Sequence, residues 1–246
     1  MISTPTLEQL KAADPDRCRA AMFADKTTRE RLLLLYAFHY ELAKVPELVS
    51  EPMIGAIRYQ WWRDAITEIY EGKPVRQHEI TTPLAKLVKD CDIPRFWLDK
   101  LIDGRERDLD PRPFTNISEA KSYSSNTSGV LAGIGAHITA SEYVNIAWKF
   151  GEVWGMTGLL RGWPYYKNSI LKEINSTLLF GESHEAYVVA NDKIKSIPPE
   201  LMPAIVYVAL IPGFQSRFNE SEPKAYPPLA KKMRLLLTSI TGKLPD

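Results

Sequence analysis

Two pairs of carboxylates stand four residues apart, Glu47 with Glu51 and Asp99 with Asp103. That spacing puts two acidic side chains on one face of a helix, where they could ligate a divalent cation. Neither pair makes a good clamp. Pro46 and Pro52 bracket the first, so no continuous helix carries it. Lys100 and Arg105 flank the second, as on a solvated helix face. Arg58, Arg63 and Arg161 offer guanidinium forks that match phosphate oxygens bidentately. Tyr36, Phe38, Trp61, Trp62 and Tyr123 could line an apolar tunnel. Each has an ordinary alternative, which is core packing for the aromatics and, for Arg58 and Arg63, a helix-surface ion pair with Asp64 or Glu68.

Other site chemistries leave no trace. His39, His78, His137 and His184 are scattered without zinc-ligand spacing, and His39, on an apolar helix, is expected to be a hydrogen-bonded core residue. No GxxxxGK[ST], GxGxxG or GxSxG motif occurs. Cys18 and Cys91 have no CxxC partner and are expected to pack.

The elements that would position these residues are helices. Thr28 to Val45 lacks Gly and Pro, is apolar on more than one face, and has Thr27 or Thr28 available as a cap. Pro52 to Glu71 repeats apolar residues near helical spacing before Gly72. Further helices are predicted over Thr82 to Lys89, Pro94 to Asp108, Ile117 to Gly133, Ala140 to Arg161, His184 to Lys195, Pro198 to Arg217 and Leu229 to Thr241. Asn219 to Pro228 reads as a surface loop before a basic last helix with Lys231, Lys232 and Arg234. No alternating strands or repeats appear, so the fold class is all-α.

Composition narrows the function. Lys and Arg total 31 against 30 Asp and Glu, which argues against a protein that grips nucleic acid through phosphates. At 246 residues a single domain is expected, with no disulfide or metal staple needed. No secretory signal is visible, and the longest charge-free apolar stretches fall short of the roughly 20 residues that span a bilayer.

The order of four segments is more specific. Asp16-Arg17 precedes LLLLYAFHYELA (Leu32 to Ala43), then VSEPMIGAIRYQWWRDAITEIYEG (Val49 to Gly72). LIDGRERDLDPRPFTNISEAKSYSSNTSGVL (Leu101 to Leu131) and FGEVWGMTGLLRGWPYY (Phe150 to Tyr166) follow. This series resembles the squalene/phytoene synthase family of head-to-head prenyl transferases. The resemblance implies an isoprenoid-synthase-like helical bundle around a central cavity. In that family, opposed helices hold Mg²⁺ through paired carboxylates against a diphosphate that leaves behind an allylic cation.

Both acidic motifs are missing. The first falls at Ala43 to Glu47, where Ala43 and Lys44 replace the acidic pair and only Glu47 remains. The second follows Leu160-Arg161, where Gly162 stands for the first Asp and Tyr165-Tyr166 for the later acidic pair. The Arg-x-Tyr-Leu-Pro segment expected downstream is absent too, with NSILKEINSTLLFG in its place. YAFHYELAKVPELVSEPMIGAIRYQWW and LIDGRERDLD resemble the branch that serves assembly of respiratory complex I. That likeness implies a non-catalytic assembly or isoprenoid- and lipid-binding factor, with complex I subunits, a prenyl diphosphate or a lipid as partners. Its expected place is the cytoplasm, peripheral to the inner membrane. The alternatives are an active prenyl transferase with an altered Mg²⁺ site and a prenyl-chain carrier that needs no metal.

Overall fold

Prolines and short polar side chains set many of the helix starts. The computed structural model describes residues 3–245, and these are helical or irregular, with no strand among them. They fall into two compact units, one up to Asp110 and one from Pro111.

The first unit holds α1 (Thr4–Ala13), α2 (Pro15–Ala21), α3 (Lys26–Ala43), α4 (Pro52–Tyr70), α5 (Thr81–Cys91) and α6 (Arg95–Glu106). α1 and α2 have no counterpart in the sequence-based assignment. Each begins with Pro in its first turn, behind a cap from Ser3 and Asp14 respectively. α3 is the centre, with α1, α2, α5 and α6 packed around it. Leu32, Leu35, Ala37, Phe38 and Leu42 are wholly buried, which explains why α3 is apolar on more than one face. Asp25, rather than Thr27 or Thr28, caps it: the carboxylate accepts from the Thr27 and Thr28 amides at 2.8 and 3.2 Å. Pro46 does not kink α3; the helix ends at Ala43 and Val45–Leu48 forms a 3₁₀ turn. The buried Tyr59 hydroxyl of α4 lies 2.9 Å from the carbonyl oxygens of both Leu42 and Arg105, so it ties α4 to the ends of α3 and α6.

The second unit holds α7 (Ile117–Ser124), α8 (Val130–Thr139), α9 (Val144–Arg161), α10 (Trp163–Tyr166), α11 (Ser176–Ile194), α12 (Met202–Ile205), α13 (Ile211–Gln215) and α14 (Pro228–Thr241). α9 is the hub, touching α7, α8, α11 and α13. Gly151 lets it approach closely: a Cβ there would run into the Ser128 carbonyl oxygen and lie 2.6 Å from the Ala132 Cβ. Several boundaries differ from expectation. A π-helical turn, Ser125–Gly129, interrupts the helix predicted over Ile117 to Gly133, and the following helix runs on to Thr139. α11 begins at Ser176, eight residues before the predicted His184, because Asn175 caps it by accepting from the Leu178 amide at 2.9 Å. The helix predicted over Pro198 to Arg217 is three short pieces, since Pro203 and Pro212 supply no amide hydrogen.

Candidate functional site

The first motif position lies where α3 gives way to the 3₁₀ turn. Ala43 is the last residue of α3, and Lys44 turns its ammonium onto Glu41 and the Tyr40 ring. Glu47 sits exposed on the turn, and Glu51 is the exposed residue ahead of α4. The two share no helix, so the structure does not bring them together as a clamp. A cavity of about 300 Å³ opens beside them, lined among others by Lys44, Val45, Ile57, Arg58, Trp61 and His78. Arg58 is exposed and has no ion-pair partner among the described residues. Trp61 stacks edge-on with Trp62 and His78 and takes the Arg76 guanidinium 5.2 Å from its ring centre.

The second motif position is built differently. α9 ends at Arg161, Gly162 caps it, and α10 turns back at once. The Tyr166 ring lies close enough to Gly162 that a Cβ there would collide with its Cε2 and sit 2.7 Å from its Cδ2. Of the three positions that stand for the lost acidic residues, Gly162 and Tyr166 therefore share one space, and Tyr165 is exposed. No carboxylate fits at 162 while Tyr166 keeps its place. With Ala43 and Lys44 beside a lone Glu47 at one position and Gly162 and Tyr166 at the other, the paired carboxylates that would hold Mg²⁺ are missing from both, and the residues present do not fit the ion. Among the described residues no group of three or more His, Cys, Asp or Glu could hold a metal.

What stands beside Gly162 is a basic, aromatic cup of about 270 Å³. Arg161, Arg217, Lys224 and Lys231 line it, and no Asp or Glu does. Its floor is Phe214 with Tyr226 edge-on at 5.1 Å. Arg161 stands 4.1 Å over the Phe214 ring, Lys231 4.7 Å over the same ring, and Arg217 4.4 Å over Tyr226. Deeper in, buried Gln215 donates to the Ser183 hydroxyl at 3.1 Å and meets His184 Nδ1 at 3.2 Å. The cup can hold an anion by charge alone, with an aromatic floor for an apolar neighbour. Of its residues only Arg161 is a ligand candidate from the sequence. Lys231 was visible as part of a basic helix. Phe214, Arg217, Lys224 and Tyr226 come from two separate segments, and nothing local marks them.

The remaining candidates have plainer places. Tyr36 and Phe38 are core residues of α3, at 2% and 0% exposure; Phe38 packs edge-on against Trp62. Tyr123 is half-buried against Phe114. Asp99 pairs with Arg95 and Asp103 with Arg63, so the second carboxylate pair is an ion-paired helix face. Arg63 does not pair with Asp64 or Glu68; it reaches Asp103 and Glu106 on α6 at 2.7 and 2.6 Å, because its turn of α4 faces that helix. Arg76 takes Glu68 instead and holds that carboxyl below its usual range. Burial, with Asp14 nearby, pushes the Cys18 thiol up to about 12, as expected of a packed, unreactive cysteine.

The family model described as squalene/phytoene synthase matches residues 10–174. The chain belongs to the squalene/phytoene synthase family. Its fold is that family's fold: a dehydrosqualene synthase crystal structure superposes with a TM-score of 0.75 over 96% of this chain and 94% of that one, at 14% identity. Squalene synthase HpnC from Alicyclobacillus acidocaldarius gives 0.66 over 98% and 94%, at 11% identity. Among curated relatives, the chain is 30% identical over 190 residues to human "NADH dehydrogenase (ubiquinone) complex I, assembly factor 6", covering 75% of this chain and 57% of that protein. The Bos taurus protein of the same name is 29% identical over 187 residues, 74% and 56% of the two chains. A Dictyostelium discoideum homolog is 24% identical over 165 residues, 65% and 46%. The chain thus spans a little over half the length of its mammalian relatives.

Proposed function

We propose that this chain is a non-catalytic member of the squalene/phytoene synthase family that serves assembly of respiratory complex I, working at the periphery of the inner membrane. The observation that carries the reading is the packing of Tyr166 on Gly162. A synthase needs carboxylates at that position to bind metal and assist the departure of diphosphate, the largest electrostatic contribution such chemistry uses. Here Gly162 and Tyr166, its ring against the glycine, supply no carboxylate, and Lys44 stands at the other motif position. The likeness to proteins named complex I assembly factor 6 supports the same reading. No helix among the described residues is long and apolar enough to cross a membrane, which agrees with a peripheral placement.

The test is complementation. Deleting the gene in its source cell should lower assembled NADH:ubiquinone oxidoreductase, and the wild-type chain should restore it. A variant with Glu47, Glu51, Asp99 and Asp103 all changed to Ala should restore it equally, with folding checked by circular dichroism. Intact complex I in the deletion strain would contradict the proposal. So would a folded carboxylate variant that fails, which would favour an active transferase with relocated ligands.

The cup favours a second reading, a prenyl-diphosphate carrier. Four cations and an aromatic floor can take a diphosphate and the start of its chain without a metal.

A further inference from the structure

α14 begins at Pro228 and ends before Gly242, whose φ of 71° is the left-handed value that suits glycine. Its inner side is short: only Leu235 and Thr238 are buried, each at 2% exposure. On its outer side Leu229, Met233, Leu236, Leu237 and Ile240 recur at helical spacing and remain 54 to 73% exposed. Five large aliphatic side chains in one stripe are far more than the scattered apolar residues a protein surface normally shows. Lys232 and Arg234, both exposed, flank the stripe on either side, and the helix contains no Asp or Glu. The helix is also held in place, since the Gly242 carbonyl accepts from the Ile197 amide at 2.7 Å.

We infer that α14 is a docking surface for an anionic lipid bilayer, lying along the interface with its aliphatic stripe sunk among the acyl chains. This deepens the peripheral placement proposed above and rests on it. An apolar ridge with cations on its flanks is the arrangement of interfacial helices, where burial of the ridge and attraction of the cations to lipid phosphates add. The ridge is convex and carries no aromatic anchor, so a protein partner would have to bring a matching groove. A second copy is disfavoured by charge: two stripes facing each other would bring Lys232 and Arg234 against their counterparts.

The test is co-sedimentation of the full chain with vesicles. Phosphatidylcholine mixed with phosphatidylglycerol should pellet it, phosphatidylcholine alone should do so weakly, and added salt should release it. Changing Leu236→Gln with Leu237→Gln should weaken binding on the order of a hundredfold, the loss expected for two buried leucines. Lys232→Gln with Arg234→Gln should weaken it about tenfold, and for the mixed vesicles only. Met233→Gln with Ile240→Gln gives an independent stripe variant should the leucine pair disturb folding by circular dichroism. Three results overturn the inference: no binding to either vesicle, binding untouched by a folded stripe variant, or a wild-type dimer that a stripe variant makes monomeric. Vesicle binding and complex I restoration are read separately. If vesicle binding fails while complementation succeeds, the docking surface falls and the assembly reading stands; the reverse removes the assembly reading alone.

Discussion

At the scale of single residues the molecule shows substitutions that support one another. Tyr166 lies where Gly162 leaves room, and Lys44 has Glu41 to neutralise it. His39 is the other telling residue. It is 6% exposed, and its Nε2 lies 3.2 and 3.0 Å from Nε and Nη2 of Arg105. A guanidinium offers only donors, so Nε2 accepts and the ring is neutral. Burial first, then the Arg105 charge, holds its pKa well below the ordinary 6.5. The unfolded chain gains this proton below 6.5 and the native chain does not. This contribution to stability is therefore complete above 6.5 and is lost as pH falls from there toward the depressed native value. Denaturant midpoints taken between about pH 7 and about pH 5 should fall for the wild type and fall less for His39→Gln. Equal declines would show that His39 titrates normally.

At the scale of elements, much was legible where periodicity and composition agree. The leucine run of α3 and the isoleucine spacing of α4 mark both helices, and Pro46 marks the end of the first. α1 and α2 escaped because their signals are caps and prolines rather than apolar repeats. The broken stretch over α12 and α13 reads as continuous because it is apolar throughout, whereas Pro203 and Pro212 break its hydrogen bonding. The cup was mostly invisible for another reason: α9, α13, the following loop and α14 all contribute to it, and only tertiary packing brings them together. If the cup takes a diphosphate by charge, calorimetry should find saturable binding of farnesyl diphosphate that is equal in Mg²⁺ and in EDTA. Arg161→Gln with Lys231→Gln should weaken it at least about tenfold, given that charged contacts are each worth roughly 1.5–3 kcal/mol. Binding that requires Mg²⁺ would contradict a charge-only site.

At the scale of the whole molecule, a family fold is kept while the charges at both motif positions are changed. The overall charge of +1 hides this, because the cations that matter gather locally, in the cup and along α14. Arg and Lys can hold an anion by charge and by bidentate hydrogen bonds. In the family the charge on a leaving diphosphate is taken up by metal held on paired carboxylates, and neither motif position here carries such a pair. The most direct measurement is incubation of the pure, folded chain with farnesyl diphosphate, with Mg²⁺ and with EDTA, following release of inorganic diphosphate. The account predicts no release above the protein-free control in either condition. Release that depends on Mg²⁺ and on enzyme concentration would contradict it and require a metal site built from carboxylates elsewhere in the chain.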